Sequence, residues 1–291
     1  MVERITPSRR AFIVCNTVVL SLIAFICLAP LWHVFIASIS DPALVEVYNG
    51  IILMPLGEVS LKPYTLVFQN PNISIGYVNT LFYVSVGTCI SVLLSTLGGY
   101  VMSRRRFRFR SQLTFFITFT MMFNGGMIPT FLVVKQLGLL NTRLAILLPT
   151  CMSVYNTIIM RTSMLAVPAS LEESARIDGA GDFTILFRII LPLVKATFAV
   201  IVLFYAVSRW NEWFNAMIYL PKRRDLYPLQ LFLREILTQA QAASASDSEV
   251  ALYETLTQYA TIIVSTLPIL CIYPFVQKYF VQGVMIGSVK G

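Results

Sequence analysis

Apolar residues in this chain come in long blocks rather than in the one-faced patterns of a soluble fold. The first block, Ala11 to Ile36, follows Arg4, Arg9 and Arg10. It is too long for a cleavable signal and no clear small-x-small site follows, so it predicts a first membrane-spanning helix. Ser38 to Gly76 is polar and turn-rich, with Asp41-Pro42, Asn49-Gly50 and Asn70-Pro71-Asn72, and predicts an external loop with one short surface helix. Tyr77 to Met102 is the second block, with Gly98-Gly99 near its inner end as a close-packing or bending point. The third, Gln112 to Leu137, is interrupted by Asn124-Gly125-Gly126-Met127-Ile128-Pro129. Such a break frees backbone groups that must face protein or a water-filled cavity, and both a pathway element and a tightly packed kink fit it. Leu144 to Leu165, Ala196 to Leu220 and Leu256 to Phe275 complete the set. The pattern predicts an all-α membrane protein with six transmembrane helices.

One interval breaks the oily sequence, Leu171 to Lys195. Ser170 with Glu173 three residues on has the form of a capping box, and Glu172 and Glu173 suit the positive end of a helix dipole. Gly179 and Gly181 end that helix, Asp182 can cap a second, and Pro192 lies near the start of the next apolar run. The expectation is a rigid polar helix–turn–helix at a membrane surface, shaped to fit a cleft in another protein. The bland alternative is a solvated loop between two spans.

Composition sharpens the class. Hydrophobic residues make up 57% and charged residues 12%, with a mean hydropathy of +0.74. Soluble domains carry about a quarter charged residues, so this is an integral membrane protein. The net charge of +8 does not point to nucleic acid, because the basic residues are scattered over short loops. The densest cluster, Arg104 to Arg110, sits between two predicted spans and follows the positive-inside rule. With both termini inside, fourteen of the 22 Lys and Arg fall inside, seven outside and Arg209 within a span. Only Lys222-Arg223-Arg224, at the start of the long external segment Pro221 to Glu254, resists this assignment. In that segment Leu229 to Leu237 is helix-like, and Gln239 to Ser248 is predicted mobile.

Chemistry inside the spans is sparse. His33 reads as a satisfied polar residue rather than a metal ligand. Cys15, Cys27, Cys89, Cys151 and Cys271 lie in apolar runs without a CxxC pair and read as buried small hydrophobes. Arg209-Trp210-Asn211-Glu212-Trp213 fits either an outer aromatic belt with a snorkelling Arg209 or the wall of a gate. Glu212 is the one carboxylate inside a predicted span, which disfavours an ion- or proton-coupled carrier. The chain has no phosphate-binding G-x4-G-K-[ST] loop, no H-E-x-x-H and no G-x-S-x-G. Catalytic and metal-ligating residues are therefore not expected, and a transporter so built must take its energy from a partner.

Glu173-Ser174-Ala175, Gly179, and then Ile189, Leu191 and Pro192 resemble the EAA signature, E-A-A-x3-G-x9-I-x-L-P, of membrane subunits of binding-protein-dependent ABC importers. Ser174 is the one departure, a small residue for a small residue. With the six spans and the ending QKYFVQGVMIGSVKG, the whole chain is similar to MalG-like permeases of carbohydrate ABC importers, with the type I, MetI-like fold. The long first outer loop and that ending look like the branch handling fragments of complex polysaccharides such as pectin or alginate. A membrane structural or assembly subunit is the remaining rival.

The resemblance implies a division of residues 1–10 as an inner terminus, 11–76 as first helix and outer loop, 77–281 as permease core, and 282–291 as an inner tail. The core would hold the EAA loop at 166–195 and an outer loop at 221–254. It also implies a homologous second permease, two ATPases that bind the ATP and Mg, and an extracytoplasmic solute-binding protein meeting the 221–254 loop. Glu172, Glu173, Ser174, Ala175, Arg176, Asp178 and Gly179 would form the coupling helix. Ile189, Leu191 and Pro192 would anchor it, and Lys290-Gly291 would reach the ATPase interface. From polarity inside spans, Asn79, Tyr83, Asn124, Tyr155, Asn156, Trp210 and Asn211 are candidate pathway residues for an oligosaccharide crossing by alternating access.

Overall fold

The computed structural model of the chain describes residues 7–123, 125–243, 255–272 and 274. All regular structure among them is helical. They fall into two compact units, Met1–Pro71 with Leu233–Pro268, and Asn72–Phe232 with Ile269–Gly291.

In the first unit, α1 (Pro7–Ser38) has 32 residues, long enough at about 1.5 Å per residue to cross a bilayer. Its side chains are exposed over most of its length, and only Ile36, Ala37 and Ser38 are buried. There they pack with Val45, Ile52 and Leu256. Two short helices occupy the following loop, α2 (Pro42–Val47) and α3 (Lys62–Gln69), where one was expected. Each carries a proline in its first turn, where the missing N–H costs nothing. Asp41 caps α2 by accepting the Ala43 N–H at 2.9 Å. His33 Nδ1 accepts the Ile52 N–H at 2.9 Å, and its ring meets Tyr259 edge-on, so it is satisfied within this unit.

The second unit is arranged around α4 (Pro71–Ser103), which starts at Pro71 rather than Tyr77 because that proline takes the first helical position. After it come α5 (Arg110–Met122) and α6 (Met127–Gln136), separated where the Gly-Gly-x-x-Pro interruption lies. Next are α7 (Leu144–Leu147), α8 (Val154–Leu165) and α9 (Ala169–Ile177). A helix α10 (Asp182–Leu193) contains a π-helical stretch, Ile185–Ile190, and turns by 90° into α11 (Lys195–Trp210). The chain order then continues with α12 (Phe214–Tyr219), α13 (Leu229–Ala243), whose residues from Leu233 on belong to the first unit, and α14 (Thr255–Ile272), which belongs to the first unit as far as Pro268.

By length and composition, α1, α4 and α14 can cross a membrane, and five segments can if each bent pair, α5–α6 and α10–α11, is one span. The expected fourth span, 144–165, is instead two short helices around residues 148–153. Pro149 stands in that interval, and the Ser153 hydroxyl accepts the Asn156 N–H at 3.4 Å to start α8 afresh. The expected fifth span stops at Trp210, and Phe214 opens a separate helix. Of the segment Gln239 to Ser248, predicted mobile, the part to Ala243 continues α13 and residues 244–248 lie outside the described residues. Four of the five cysteines are exposed and Cys151 is half-buried. They are not core residues, because the helix faces that carry them have little covering layer among the described residues.

Close approach of α4 to its neighbours rests on glycine. A Cβ on Gly99 would lie 3.0 Å from the Arg161 backbone nitrogen and 3.0 Å from Met160 Cγ. The close-packing reading of this position is therefore the observed one, within an unbroken helix. Gly99→Ala is expected to overpack the α4–α8 crossing by roughly 1–3 kcal/mol and to lower the melting temperature of the purified protein. Gly181→Ala, where a Cβ meets nothing within 4 Å, is expected to leave it unchanged.

Candidate functional site

The charged interval folds as a clamped knob. Helix α9 starts after Pro168, so Ser170 already lies inside it and no side-chain cap forms; the expected capping box is absent. Glu172 instead turns inward. Its Oε1 accepts from Arg176 Nη2 at 2.9 Å, one helical turn on, and its Oε2 accepts from Arg104 Nη1 at the end of α4. Arg104 also donates to the Met164 carbonyl at 2.9 Å and stacks over the Tyr100 ring. Arg176 reaches Asp182 Oδ1 at 2.5 Å, so Asp182 binds a guanidinium across the turn instead of capping α10. A single carboxylate thus ties α9 to α4, and Arg176 ties α9 to α10.

The turn itself is set by backbone geometry. Gly179 has φ of +81°, open to glycine at little cost. Its N–H donates to the Arg176 carbonyl at 3.0 Å and the Ala180 N–H to Ala175 at 2.9 Å, a Schellman closure. Of the other residues expected to act here, Ala175 is buried while Glu173, Ser174, Asp178 and Gly179 are exposed. Ile177, 87% exposed, puts an apolar side chain at the tip. Ile189 and Leu191 are half-buried against the core, whereas Pro192 is exposed. Lys290 and Gly291 lie outside the described residues.

One buried cluster joins this knob to the spans. Ala175 shares it with Met160 and Met164 of α8, Ile185, Leu186 and Ile190 of α10, and Ile201 and Tyr205 of α11. At its far end the Tyr205 hydroxyl is hydrogen-bonded with Ser95 Oγ at 2.6 Å and accepts the Ser153 N–H at 2.8 Å. Thr157 donates to Ser95 Oγ at 3.2 Å and to the Ser153 carbonyl at 2.8 Å. This polar junction links α4, α8 and α11 at the break between α7 and α8.

Arg209 completes the junction. It is 3% exposed and does not snorkel. Its guanidinium donates to the carbonyls of Ile146 at 3.0 Å and Thr150 at 2.8 Å and to Thr150 Oγ1 at 2.5 Å, with longer contacts to Leu147 and Ser91. These are acceptors freed by the end of α7, so the arginine closes the break from within. Gly87 makes the space, because a Cβ there would lie 2.9 Å from Arg209 Nε. Beside it is a cavity of about 300 Å³ lined by Thr150, Ser153, Asn156, Ser208, Arg209 and Glu212. Both Glu212 oxygens are taken by Asn215, through its N–H at 3.0 Å and its Nδ2 at 2.9 Å.

The candidate pathway residues separate. Asn156 lines this cavity. Asn79 is buried and spent elsewhere, its Nδ2 donating to the carbonyls of Asp225 and Tyr227 and its Oδ1 accepting from Arg143. Tyr83, fully buried, donates to the Leu226 carbonyl at 2.9 Å. These two hold the 225–227 segment rather than face an opening. Tyr155 and Asn211 are exposed, and Trp210 is buried edge-on to Tyr77. Asn124 lies outside the described residues. Three residues that matter most here, Arg104, Tyr205 and Arg209 as a cap, were not singled out by sequence. The legible signal was an arginine within a span that also faces a proline-broken neighbour.

An all-helical, span-broken bundle whose polar groups turn inward, and which carries a charged knob at one end, defines the class of membrane transport permeases. Residues 92–286 match the family described as "Binding-protein-dependent transport system inner membrane component", and the chain belongs to it. It is 41% identical over 276 residues, 94% of this chain and 96% of the other, to the "Polygalacturonan/rhamnogalacturonan transport system permease protein YtcP" of Bacillus subtilis (strain 168). To the "Lactose transport system permease protein LacG" of Rhizobium radiobacter it is 29% identical, over 94% of each chain. A solved bacterial ABC transporter involved in the import of the acidic polysaccharide alginate aligns with a TM-score of 0.83 and 35% identity, over 96% of this chain and 99% of that one. The chain is accordingly a permease of a binding-protein-dependent ABC importer, a transport component rather than a catalyst.

The clamp carries a pH signature. Burial alone pushes the Glu172 carboxyl up, but hydrogen bonds and charge from Arg104 and Arg176 outweigh it and leave its pKa below the ordinary 4.5. A depressed carboxylate contributes stability above its unfolded pKa and loses it as pH falls through the folded value. Glu172→Gln is therefore expected to cost on the order of 1–3 kcal/mol near neutral pH. The gap in melting temperature to the wild type should hold from about pH 8 to 5, begin to narrow below about 4.5, and close only as pH falls through the depressed folded value. Thermal scans of both proteins across that range check it.

Proposed function

We propose that this chain is one of two homologous permeases in an ATP-driven importer of oligosaccharides released from acidic polysaccharides. Two ATPases would bind the ATP and Mg, and an extracytoplasmic binding protein would deliver the sugar. The observation that carries the reading is the two-sided α9. One face is fixed by Glu172 and Ala175, and the other exposes Glu173, Ser174, Ile177 and Asp178. A helix clamped this way moves as a unit with whatever it docks against, and an ATPase groove is the partner that the EAA spacing implies.

Closure of the ATPase pair would displace α9, and the core from Ala175 to Tyr205 would carry that displacement to the polar junction. The broken fourth span would then rearrange around the cavity between Ser153, Asn156, Ser208 and Glu212. Those residues and Asn156 above all replace Asn79 and Tyr83 as candidates to meet a sugar, because their polar groups border open volume. The basic loop and both termini would lie inside, in keeping with the positive-inside rule. The acidic substrate class is supported by what the polygalacturonan/rhamnogalacturonan and alginate relatives are described as carrying.

The reconstituted complex, with its binding protein and ATPases, tests this. Galacturonate oligosaccharides are expected to stimulate ATP hydrolysis several-fold more than neutral oligosaccharides of the same length. Glu173→Lys, on the exposed face, is expected to abolish that stimulation while the complex still assembles. Stimulation that survives Glu173→Lys would remove α9 from the coupling route, and equal stimulation by neutral sugars would remove the acidic class.

A further inference from the structure

Where α4 ends, a groove of about 350 Å³ lies between that helix, the basic loop and the start of α10. Leu97, Val101, Phe107, Phe183 and Leu186 give it apolar walls. At its mouth stand the guanidiniums of Arg104, Arg106 and Arg176 with the carboxylate of Asp182. Arg104 and Arg176 are committed to Glu172, and Arg176 also to Asp182. Arg106 is exposed, and exposed Arg105 and Arg108 flank it on the same loop. The groove's wall also holds Tyr100, 7% exposed, whose hydroxyl is buried with no hydrogen-bond partner.

These features ask for one kind of occupant. A small anion would leave the apolar walls in contact with water, and a plain hydrocarbon chain would leave Arg106 and the Tyr100 hydroxyl without a counterpart. An amphiphile with a negative head and acyl chains serves both. The position agrees, because the groove runs along the last turns of a membrane-spanning helix up to a cluster of arginines, the depth at which headgroups meet acyl chains. A buried phenol hydroxyl is costly to leave unpaired, and a phosphodiester or glycerol oxygen reaching into the groove is an acceptor or donor for it.

We propose that this groove binds an anionic phospholipid, its phosphate against Arg106 and the Tyr100 hydroxyl and its acyl chain along Leu97, Val101 and Phe183. Arg176 on α9 and Phe183 and Leu186 on α10 belong to the same wall. A lipid seated there therefore braces the clamped knob against α4, and makes the stiffness of α9 depend on the charge of the surrounding membrane. This assignment does not rest on what the importer carries.

The test is retention of lipid by the intact transporter complex. Complexes purified in mild detergent from vesicles of mixed phosphatidylglycerol and phosphatidylcholine are examined by native mass spectrometry. Wild type is expected to retain phosphatidylglycerol in preference to phosphatidylcholine. Arg106→Gln should retain roughly five-fold less of it, the loss expected for one arginine at an anionic surface. Tyr100→Phe, which keeps the ring and its packing, should also lose retention. Arg110→Gln, at the start of α5 next to the loop but outside the groove, should not. Added inorganic phosphate at millimolar concentration should fail to displace the lipid. Equal loss from Arg110→Gln would reduce the effect to general loop charge and overturn the site. So would equal retention of the two lipids, displacement by free phosphate, or unchanged retention in both groove variants.

Discussion

The Glu172 carboxylate is the contact on which the lower half of this permease depends. It is the one acidic group set between Arg104 at the end of α4 and Arg176 on its own helix. Without it the two guanidiniums would face each other across a partly buried space, and α9 would lose its tie to α4, keeping the Arg176–Asp182 pair to α10 and the packing of Ala175. Ion pairs on open surfaces contribute little, but here both partners are mostly buried, at 12% and 17% side-chain exposure. Arg104 also donates to a backbone carbonyl, so its orientation is fixed before the carboxylate arrives. The result is a stiff knob whose outward face is free to be chosen for a partner rather than for folding.

The upper half solves a different problem. In lipid every backbone group freed by a helix break must find a partner within the protein. The helix breaks between α7 and α8 at 148–153, and Arg209 brings its guanidinium to the carbonyls that the end of α7 leaves open. The cost of burying this cation is offset by five acceptors in place of a single carboxylate. That choice leaves Glu212 to accept the Asn215 N–H at the start of α12, and the cavity wall sets hydroxyl and amide groups from Ser153, Asn156 and Ser208 beside the already partnered Arg209 and Glu212. Groups of this kind suit a hydroxylated ligand that must be released as readily as it is held.

Much of this was legible in the sequence. Long apolar blocks announced the spans, the Gly-Gly-x-x-Pro run announced the break between α5 and α6, and Gly179 announced the turn after α9. The capping box that Ser170 and Glu173 spell is not used, because the helix starts earlier, directly after Pro168. Two things stayed hidden. The partner of Glu172 is 68 residues away, and no local pattern distinguishes Arg104 from the four other arginines of its loop. The continuity of a span also depends on what can repair its interior. An apolar run from Leu144 to Leu165 looks whole until Arg209 from another helix is seen to hold it open.

The knob and the junction are joined by apolar packing that ends in hydroxyls, and that order has a mechanical consequence. Close-packed aliphatic and aromatic side chains transmit displacement because they cannot be compressed, so motion of Ala175 must be taken up further along the cluster. At Tyr205 the medium changes. Its hydroxyl and those of Ser95 and Thr157 form short, directional bonds that can exchange partners at little net cost, since each group both donates and accepts. An apolar contact in that place would slide, whereas a hydroxyl network has discrete arrangements. On the proposed coupling route the start of α8, whose Ser153 N–H is bound by Tyr205, would therefore be the point at which a continuous push becomes a switch between two states.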